Sequence, residues 1–238
     1  MRYVAAVLLV VLLAAVSFGD GLDLPINPPG QLQPQPDKGV GKDPRDEPPP
    51  TIYGEEIDSE TDKLVYVIDI SCSMTEDYRP YINFSGSRAE GPRIDRAKAE
   101  LCRSISNLPR NMKFSAVAYS CSTRLWNKTL QEANTANKAS AVGWVQSLEP
   151  TDATATGPAV ALGLSLDRQN TTVVLLTDGA PNCGTPRELP EEHRKMIRDA
   201  NVQHAAITVF GISPHAVCRA FCKQVSEIDS GGSYFEVP

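Results

Sequence analysis

Three oxygen-bearing side chains, Asp69, Ser71 and Ser73, occupy alternate positions directly after a short apolar segment. In an extended or tightly turned loop, side chains spaced in this way can bring their oxygens to one point. A cluster that contains only oxygen donors suits a hard divalent cation. The alternative is a turn whose polar groups hydrogen-bond only to one another. The spacing therefore predicts either a cation site or a self-bonded loop.

The segment in front of these residues predicts how they are positioned. Residues 64–68 are apolar and partly β-branched, and the run is too short for a typical helix, so we expect a buried strand. Open parallel sheets place their sites at the C-terminal ends of such strands. A second buried strand is predicted at residues 172–176, and it ends in Thr177-Asp178-Gly179. If the two strands are parallel and adjacent, Asp69 and Asp178 lie at the same sheet edge.

The chain from Thr61 onward alternates strand-like and helix-like patterns, which is typical of a sheet with crossover helices. We expect one α/β domain over residues 61–238. Residues 123–126 predict a short strand that forms a hairpin with the strand before it. The three- and four-residue spacing that predicts the first long helix is formed by Ile94, Ala97, Leu101, Ile105 and Leu108.

The first 60 residues have a different composition. Residues 1–19 contain Arg2 and then an apolar run shorter than the ~20 residues of a spanning helix, which predicts a cleaved secretory signal peptide. We therefore expect a secreted or otherwise extracytoplasmic protein that has no membrane insertion after cleavage. Residues 20–60 are rich in proline and poor in apolar residues, which predicts a disordered linker.

Charge and motifs exclude several classes of function. The 238 residues carry a formal charge of −6, which argues against nucleic acid as a partner. The sequence has no G-x-S-x-G elbow and no glycine-rich turn after the first buried strand. A phosphotransferase of the haloacid-dehalogenase type would also begin with an Asp at a strand end, but it needs a second acid two residues later, where Ser71 stands. We expect no enzyme, and the alternative is a metal-dependent hydrolase or phosphotransferase on a Rossmann-like fold.

At this point the motifs resemble a known family. Asp69-Ile-Ser71-Cys-Ser73 is similar to the D-x-S-x-S motif of von Willebrand factor A (VWA) domains, where it forms the metal-ion-dependent adhesion site. Thr177-Asp178-Gly179, Val209 to Ile212 and Gly231-Gly232 follow in the order expected for that family. The resemblance implies a Rossmann-like, mostly parallel central sheet with one antiparallel edge strand and helices on both faces.

The resemblance also implies a set of metal ligands and a role. Mg²⁺, or Mn²⁺ or Ca²⁺ in its place, would be held by Asp69, Ser71, Ser73, Thr154 and Asp178. Thr154 is chosen because its loop matches the G-G-T-x-T-G form of the family, and Thr151, Asp152 and Thr156 remain alternatives. The implied role is adhesion to a protein ligand that presents an acidic side chain. No oligomeric state is predicted.

A long loop is expected beside the site. Residues 75–92 predict a long loop beside it, in which Asp77, Tyr78 and Arg79 would form a ligand-binding rim.

Export makes the six cysteines candidates for disulfides. Cys72 and Cys183 both follow strand ends at the expected metal edge and could pair. Cys102 and Cys222 lie in helices that are neighbours on one sheet face in the resembling fold, and they could pair or remain buried free thiols.

Overall fold

The computed structural model of the chain describes residues 48–57, 59, 61–183 and 190–238. The predicted signal peptide and most of the predicted linker lie outside these residues. None of the described helices combines the length and the apolar character that crossing a bilayer would need.

The strands are β1 (Thr51–Ile52), β2 (Glu55–Glu56), β3 (Lys63–Asp69), β4 (Arg79–Ile82), β5 (Arg88–Gly91), β6 (Lys113–Tyr119), β7 (Thr123–Leu125), β8 (Gln131–Glu132), β9 (Thr172–Thr177), β10 (Ala206–Ile212) and β11 (Tyr234–Val237). The helices are α1 (Arg93–Asn107), α2 (Thr135–Gln146), α3 (Thr156–Ser165), α4 (Pro190–Ala200) and α5 (Ala216–Lys223), which a π-helical turn, Gln224–Ile228, extends.

The central sheet is mixed but mostly parallel, as the sequence predicted. Among the described residues its strands follow the order β11-β10-β9-β3-β6-β7, and β8 pairs with the other end of β6. Strand β3 is parallel to both of its neighbours, β6 and β9. Strand β7 runs antiparallel to β6 at the sheet edge, which confirms the predicted edge strand. Connections from one parallel strand to the next need crossovers, and the helices provide them.

Between its two charged end residues, strand β3 is apolar from Leu64 to Ile68, because helices cover both faces of the sheet. Leu64, Tyr66 and Ile68 lie in one core cluster with residues of α1 and α2. Val65 and Val67 lie in a second cluster on the other face, with residues of α3, α4 and α5. Since side chains alternate between the two faces of a strand, a strand buried on both sides shows no polar alternation.

Helix α1 confirms the periodicity that predicted it. Ile94, Ala97, Leu101 and Ile105 are all at most 4% exposed and join the first core cluster. The following residue of the pattern, Leu108, is the C-cap and is also buried. The first turn of α1 places Arg93 and Arg96 beside the C-terminal end of the sheet, where both are buried as well.

The ordered domain begins before residue 61, which corrects the predicted boundary of the linker. Strands β1 and β2 form a short antiparallel hairpin. Ile52 and Ile57 are at most 1% exposed and belong to the first core cluster. The sequence did not predict this, because the proline-rich composition around these two isoleucines is typical of a disordered linker.

The expected loop at residues 75–92 is largely a β-hairpin. Strands β4 and β5 pair in antiparallel register, with Arg79 opposite Gly91 and Ile82 opposite Arg88. Gly86 takes a positive φ of 86° in the connection, a conformation that glycine adopts without strain. The hairpin therefore presents Tyr78 and Arg79 from a structured base.

Candidate metal centre

The C-terminal ends of β3 and β9 lie side by side, which places the two predicted carboxylates at one edge of the sheet. The Cα register pairs Ile68 with Leu176, so that Asp69 and Thr177 are the next residues on the two strands. The hydroxyl of Thr177 donates a 2.6 Å hydrogen bond to Oδ2 of Asp69. The two strand ends are thus joined directly by side chains as well as by the backbone ladder.

The residues after Asp69 form a compact turn that directs its hydroxyls to the same side. The Ser71 amide donates to Oδ1 of Asp69 at 2.8 Å, and the Met74 amide donates to the Ser71 carbonyl at 3.0 Å. The hydroxyls of Ser71 and Ser73 are 3.2 Å apart. Asp69 and Ser71 are at most 1% exposed, so this turn is a part of the core edge.

Asp178 joins this group through Ser73. The Ser73 hydroxyl donates a 2.9 Å hydrogen bond to Oδ1 of Asp178, whose side chain is 3% exposed. The negative charge of Asp178 also disfavours ionisation of Asp69. The structure therefore brings together Asp69, Ser71, Ser73 and Asp178.

Thr154 completes the arrangement from a different loop. It is 2% exposed, and a Cβ placed on Gly179 would lie 3.4 Å from its Oγ1 and 3.9 Å from the Ser73 hydroxyl oxygen. The Thr154 hydroxyl and the Ser73 hydroxyl thus border the same small volume above Gly179. Asn182 holds the Thr154 backbone through two hydrogen bonds. The Asn182 side-chain oxygen accepts from the Thr154 backbone amide at 2.9 Å, and the Asn182 backbone amide donates to the Thr154 carbonyl at 2.9 Å.

The alternative residues of this loop lie elsewhere. Thr151 and Asp152 are exposed, and the Asp152 carbonyl accepts from the Cys72 amide at 2.8 Å. Thr156 is fully buried, and its hydroxyl lies 3.3 Å from the Tyr119 hydroxyl. Thr154 is the candidate whose hydroxyl borders the same volume above Gly179 as the Ser73 hydroxyl.

Burial raises the pKa of Asp69 to about 6. Hydrogen bonds from Thr177 and from Ser71 oppose this rise, and the charge of Asp178 adds to it. Tyr119 lies 3.2 Å away as a further donor to Oδ2. Burial also raises the pKa of Tyr119 well above its usual value, so that its hydroxyl keeps its proton and remains a donor.

Arg93 is a charged neighbour that the sequence analysis did not single out. Its Nη1 lies 3.2 Å from Oδ2 of Asp178 and donates to the Ser73 carbonyl at 3.1 Å. Burial raises the pKa of Asp178, and the hydrogen bond from Ser73 and the charge of Arg93 oppose that rise. The available signal was the position of Arg93 on the buried face of α1, four residues before Ala97.

The three residues of the predicted rim have different roles in the structure. Tyr78 is 66% exposed and faces solvent, and the Arg79 side chain is 47% exposed. The Asp77 carboxylate is instead bound by two arginines, since Nη2 of Arg96 lies 3.0 Å from its Oδ2 and Nε of Arg79 donates to its Oδ1 at 3.1 Å. A hydrogen bond with Ser213 is the main cause that lowers the pKa of Asp77 to about 2. Asp77 therefore holds the base of the rim in place.

The cysteine pairing differs from both predicted pairs. Cys183 is bonded to Cys121, and their Cα atoms are 5.5 Å apart, which overturns the predicted Cys72–Cys183 bridge. Cys72 is an exposed free thiol. The bridge joins the loop after β6 to the loop after β9, and the Cys183 amide donates to the Thr154 carbonyl at 3.0 Å. It therefore braces the segment that carries Thr154.

The predicted Cys102–Cys222 bridge is also wrong, because the two residues lie on opposite faces of the sheet. Cys102 belongs to the core cluster under α1 and Cys222 to the one under α5. Both are buried free thiols. The sulfur of Cys222 lies instead 3.8 Å from that of Cys218, one turn earlier on α5.

The donor set fits a hard divalent cation. Two carboxylates and three hydroxyls from three separate chain segments lie at one edge of the sheet and are linked in pairs by short contacts, and all five donors are oxygen. No group of three or more His, Cys, Asp or Glu residues that could hold a metal occurs in the part of the chain that is described. The candidate centre therefore depends on hydroxyl ligands, and a softer metal that prefers thiolate or imidazole does not fit it.

Solved structures confirm the fold. A von Willebrand factor type A protein from Catenulispora acidiphila superposes with a TM-score of 0.57 at 18% identity, covering 74% of this chain and 38% of that one. The von Willebrand factor domain of Mfa5, the type V pili tip protein from Porphyromonas gingivalis, gives a TM-score of 0.54 at 10% identity, with 73% and 89% of the two chains covered. BatB from Bacteroides thetaiotaomicron gives 0.53 at 16% identity, with 74% and 89% covered.

These likenesses show that the chain has the fold of VWA domains. No protein-family model matches the sequence, and no curated protein matches it. The chain spans well under half the length of the Catenulispora acidiphila protein. At such identities the shared feature is the arrangement of helices and strands.

Proposed function

We propose that this domain binds a divalent cation at the edge formed by β3 and β9 and uses it to engage a protein ligand. Mg²⁺ is the proposed ion, and Mn²⁺ or Ca²⁺ are substitutes with the same oxygen preference. The proposed ligands are Asp69, Ser71, Ser73, Thr154 and Asp178. The observation that supports the proposal most is the continuous link from the Ser71 hydroxyl through that of Ser73 to Asp178, beside Thr154.

The charges of these residues favour an anionic ligand. Two carboxylates match the charge of a divalent cation, and the three hydroxyls add donors without adding negative charge. The bound cation would supply a Lewis-acidic position that a carboxylate of the partner can occupy. We therefore propose that the partner presents an Asp or Glu side chain, with Tyr78 and Arg79 as neighbouring contacts on the rim.

An extracytoplasmic setting agrees with two observations. The first is the apolar segment at residues 4–16 behind Arg2, which is typical of a secretory signal. The second is the bridge between Cys121 and Cys183, because disulfides persist in oxidising compartments. The Mfa5 structure described above is that of a pilus tip protein, which is consistent with a role in surface contacts.

Metal binding is tested first, by titrating the metal-free protein with Mg²⁺ and Mn²⁺ in a calorimeter. Asp69→Ala removes a proposed ligand and should abolish the binding heat. Asp199→Asn is the matched control, because Asp199 is an exposed carboxylate on α4 that pairs with Lys195. Circular dichroism must show that both variants fold. If Asp69→Ala binds Mg²⁺ as tightly as the unaltered protein, the proposed site is wrong.

Partner binding is tested by affinity capture from the native extracellular medium in Mg²⁺, followed by elution with chelator. A partner that chelator releases, and that the folded Asp69→Ala variant does not capture, supports the metal-bridged mechanism. A partner that is retained equally in chelator contradicts it. Turnover of a small phosphoester or ester, lost in the same variant and without a retained partner, would favour the metal-dependent hydrolase or phosphotransferase instead.

A further inference from the structure

We infer that Arg93 is a built-in counter-ion of the metal centre, which shares Asp178 with the bound cation and thereby sets how tightly this centre holds metal. The inference rests on the proposed function, since it concerns the same five oxygen ligands. It makes Arg93 a positioning residue, because it acts on the cation through Asp178.

The contacts of Arg93 place its charge inside the site. The residue is 5% exposed, and Nη1 reaches both Oδ2 of Asp178 and the Ser73 carbonyl, at 3.2 and 3.1 Å. Nη2 donates to the Ser213 carbonyl at 3.2 Å. One guanidinium therefore touches a proposed metal ligand through its carboxylate and a second one through its backbone.

The guanidinium has little freedom to move away. Arg93 is the first residue of α1, and Ile94 next to it is packed in the core. Its two terminal nitrogens bind carbonyls of two separate loops, at Ser73 and Ser213. The Glu76 carboxylate is 3.8 Å away, but its side chain is 68% exposed, so that solvent screens this interaction. Asp178 is thus the buried charge partner of Arg93.

One buried donor of Arg93 has no hydrogen-bond partner in the described part of the chain, which indicates that this residue is present for its charge. Nε is buried and has no hydrogen-bond partner among the described residues. A buried donor without a partner destabilises the folded state, so an apolar side chain would serve packing alone at least as well. The contact with Asp178 is what an apolar residue could not reproduce.

The consequence follows from counting charges. Asp69 and Asp178 contribute two negative charges and Arg93 one permanent positive charge. Without metal, Arg93 compensates Asp178, so that the centre is stable when empty. With a divalent cation bound, Arg93 and the cation share one carboxylate and repel each other, which weakens metal binding. The loaded centre then carries one net positive charge toward the ligand.

The test is the Mg²⁺ affinity of three variants of the full chain, measured by calorimetry with the metal alone. Arg93→Gln removes the charge but keeps an amide donor, and it should lower the Kd for Mg²⁺ by about tenfold or more. Arg93→Lys keeps the charge and should retain a Kd close to that of the unaltered protein. Arg96→Gln is the matched control, because Arg96 is 3% exposed and one turn further along α1, but pairs with Asp77. It should change the Kd little.

A second readout is the melting temperature in chelator and in Mg²⁺. In Arg93→Gln the metal should raise the melting temperature more than it does in the unaltered protein, because Asp178 then lacks its internal partner. A purely structural Arg93 predicts a melting temperature that falls equally in both solutions and an unchanged Kd, and this result would overturn the inference. An equal change in Arg96→Gln would overturn it as well.

The failure of the proposed function gives a different pattern. If neither the unaltered protein nor Arg93→Gln binds Mg²⁺, both the site and the role of Arg93 are wrong. If the unaltered protein binds and Asp69→Ala does not, but Arg93→Gln has the same Kd as the unaltered protein, only the role of Arg93 is wrong. Binding that is detectable only in Arg93→Gln supports both.

Discussion

The Ser73 hydroxyl donates a 2.9 Å hydrogen bond to the Asp178 carboxylate, which joins two residues separated by 105 positions in the sequence. This contact holds together the turn after β3 and the turn after β9. Because the Asp178 side chain is only 3% exposed, the bond also satisfies a carboxylate oxygen that solvent hardly reaches. The geometry of the proposed metal centre depends on it.

Ser73→Ala should therefore weaken metal binding and lower stability together. Loss of a proposed metal ligand that also orients Asp178, a second proposed ligand, is expected to raise the Kd for Mg²⁺ by about 10- to 100-fold. Loss of the buried hydrogen bond should lower the free energy of unfolding by about 1–2 kcal/mol. Calorimetry and urea denaturation measure the two effects. Ser85→Ala, at the exposed tip of the β4–β5 hairpin, is the control, and an equal loss there would contradict the prediction.

The bridge between Cys121 and Cys183 should stabilise the fold and maintain the metal site. Cys121→Ser is expected to lower the free energy of unfolding by about 2–4 kcal/mol, and reductant should have the same effect on the unaltered protein. Metal affinity should also fall, because the Cys183 amide binds the Thr154 carbonyl. Cys72→Ser is the control. A thiol assay on unfolded, unreduced protein should count four free thiols, and six would show that the bridge is not formed.

The raised pKa of Asp69 predicts a pH dependence of the metal-free protein. The pKa is about 6 in the folded state and 3.8 for an ordinary Asp, so between these values the folded state binds more protons than the unfolded state. In chelator, lowering the pH from 7 to 4 should therefore stabilise the protein relative to Asp69→Asn, by up to about 3 kcal/mol. In the proposed metal centre Mg²⁺ would bind the ionised form of Asp69, so adding Mg²⁺ should oppose this gain. A difference between the two proteins that stays constant from pH 7 to pH 4 would refute the prediction.

Substitution of Gly157 tests how closely helix α3 packs against His193 of α4 behind the proposed site. A Cβ at this position would lie 2.8 Å from Nδ1 of His193 and 3.0 Å from its Cα, and the Gly157 amide already donates to that Nδ1 at 2.8 Å. Gly157→Ala should lower the free energy of unfolding by about 1–3 kcal/mol, because the backbone must shift. Gly143→Ala on α2 meets no atom within 4 Å and should be neutral or stabilising. Thermal denaturation compares the two, and equal melting temperatures would show that α3 can shift without cost.

Much of the fold was predictable from the sequence because its signals are local. The apolar run of β3 and the helical spacing of α1 each reflect burial on known faces. The placement of Asp69 and Asp178 at one edge followed from two parallel strands that end in carboxylates. These inferences need only the strand order, which alternating helices and strands restrict strongly.

The remaining features depend on how loops turn, and spacing does not encode this. Cys183 could reach several partners from the end of β9, and the path of the loop through Asn182 directs it to Cys121. Composition alone does not reveal the role of Arg93, because a charged residue at the start of a helix usually faces solvent. The sequence also does not reveal the hairpin of β1 and β2, because two isoleucines among prolines show no periodicity.

The hairpin of β1 and β2 has a practical consequence for anyone who expresses a shortened version of this protein. A fragment that starts at Thr61 would lack Ile52 and Ile57, two members of the first core cluster, and would expose the apolar surface of α1 that β1 contacts. Such a fragment should aggregate or need detergent, whereas a fragment that starts at Pro48 should remain in solution.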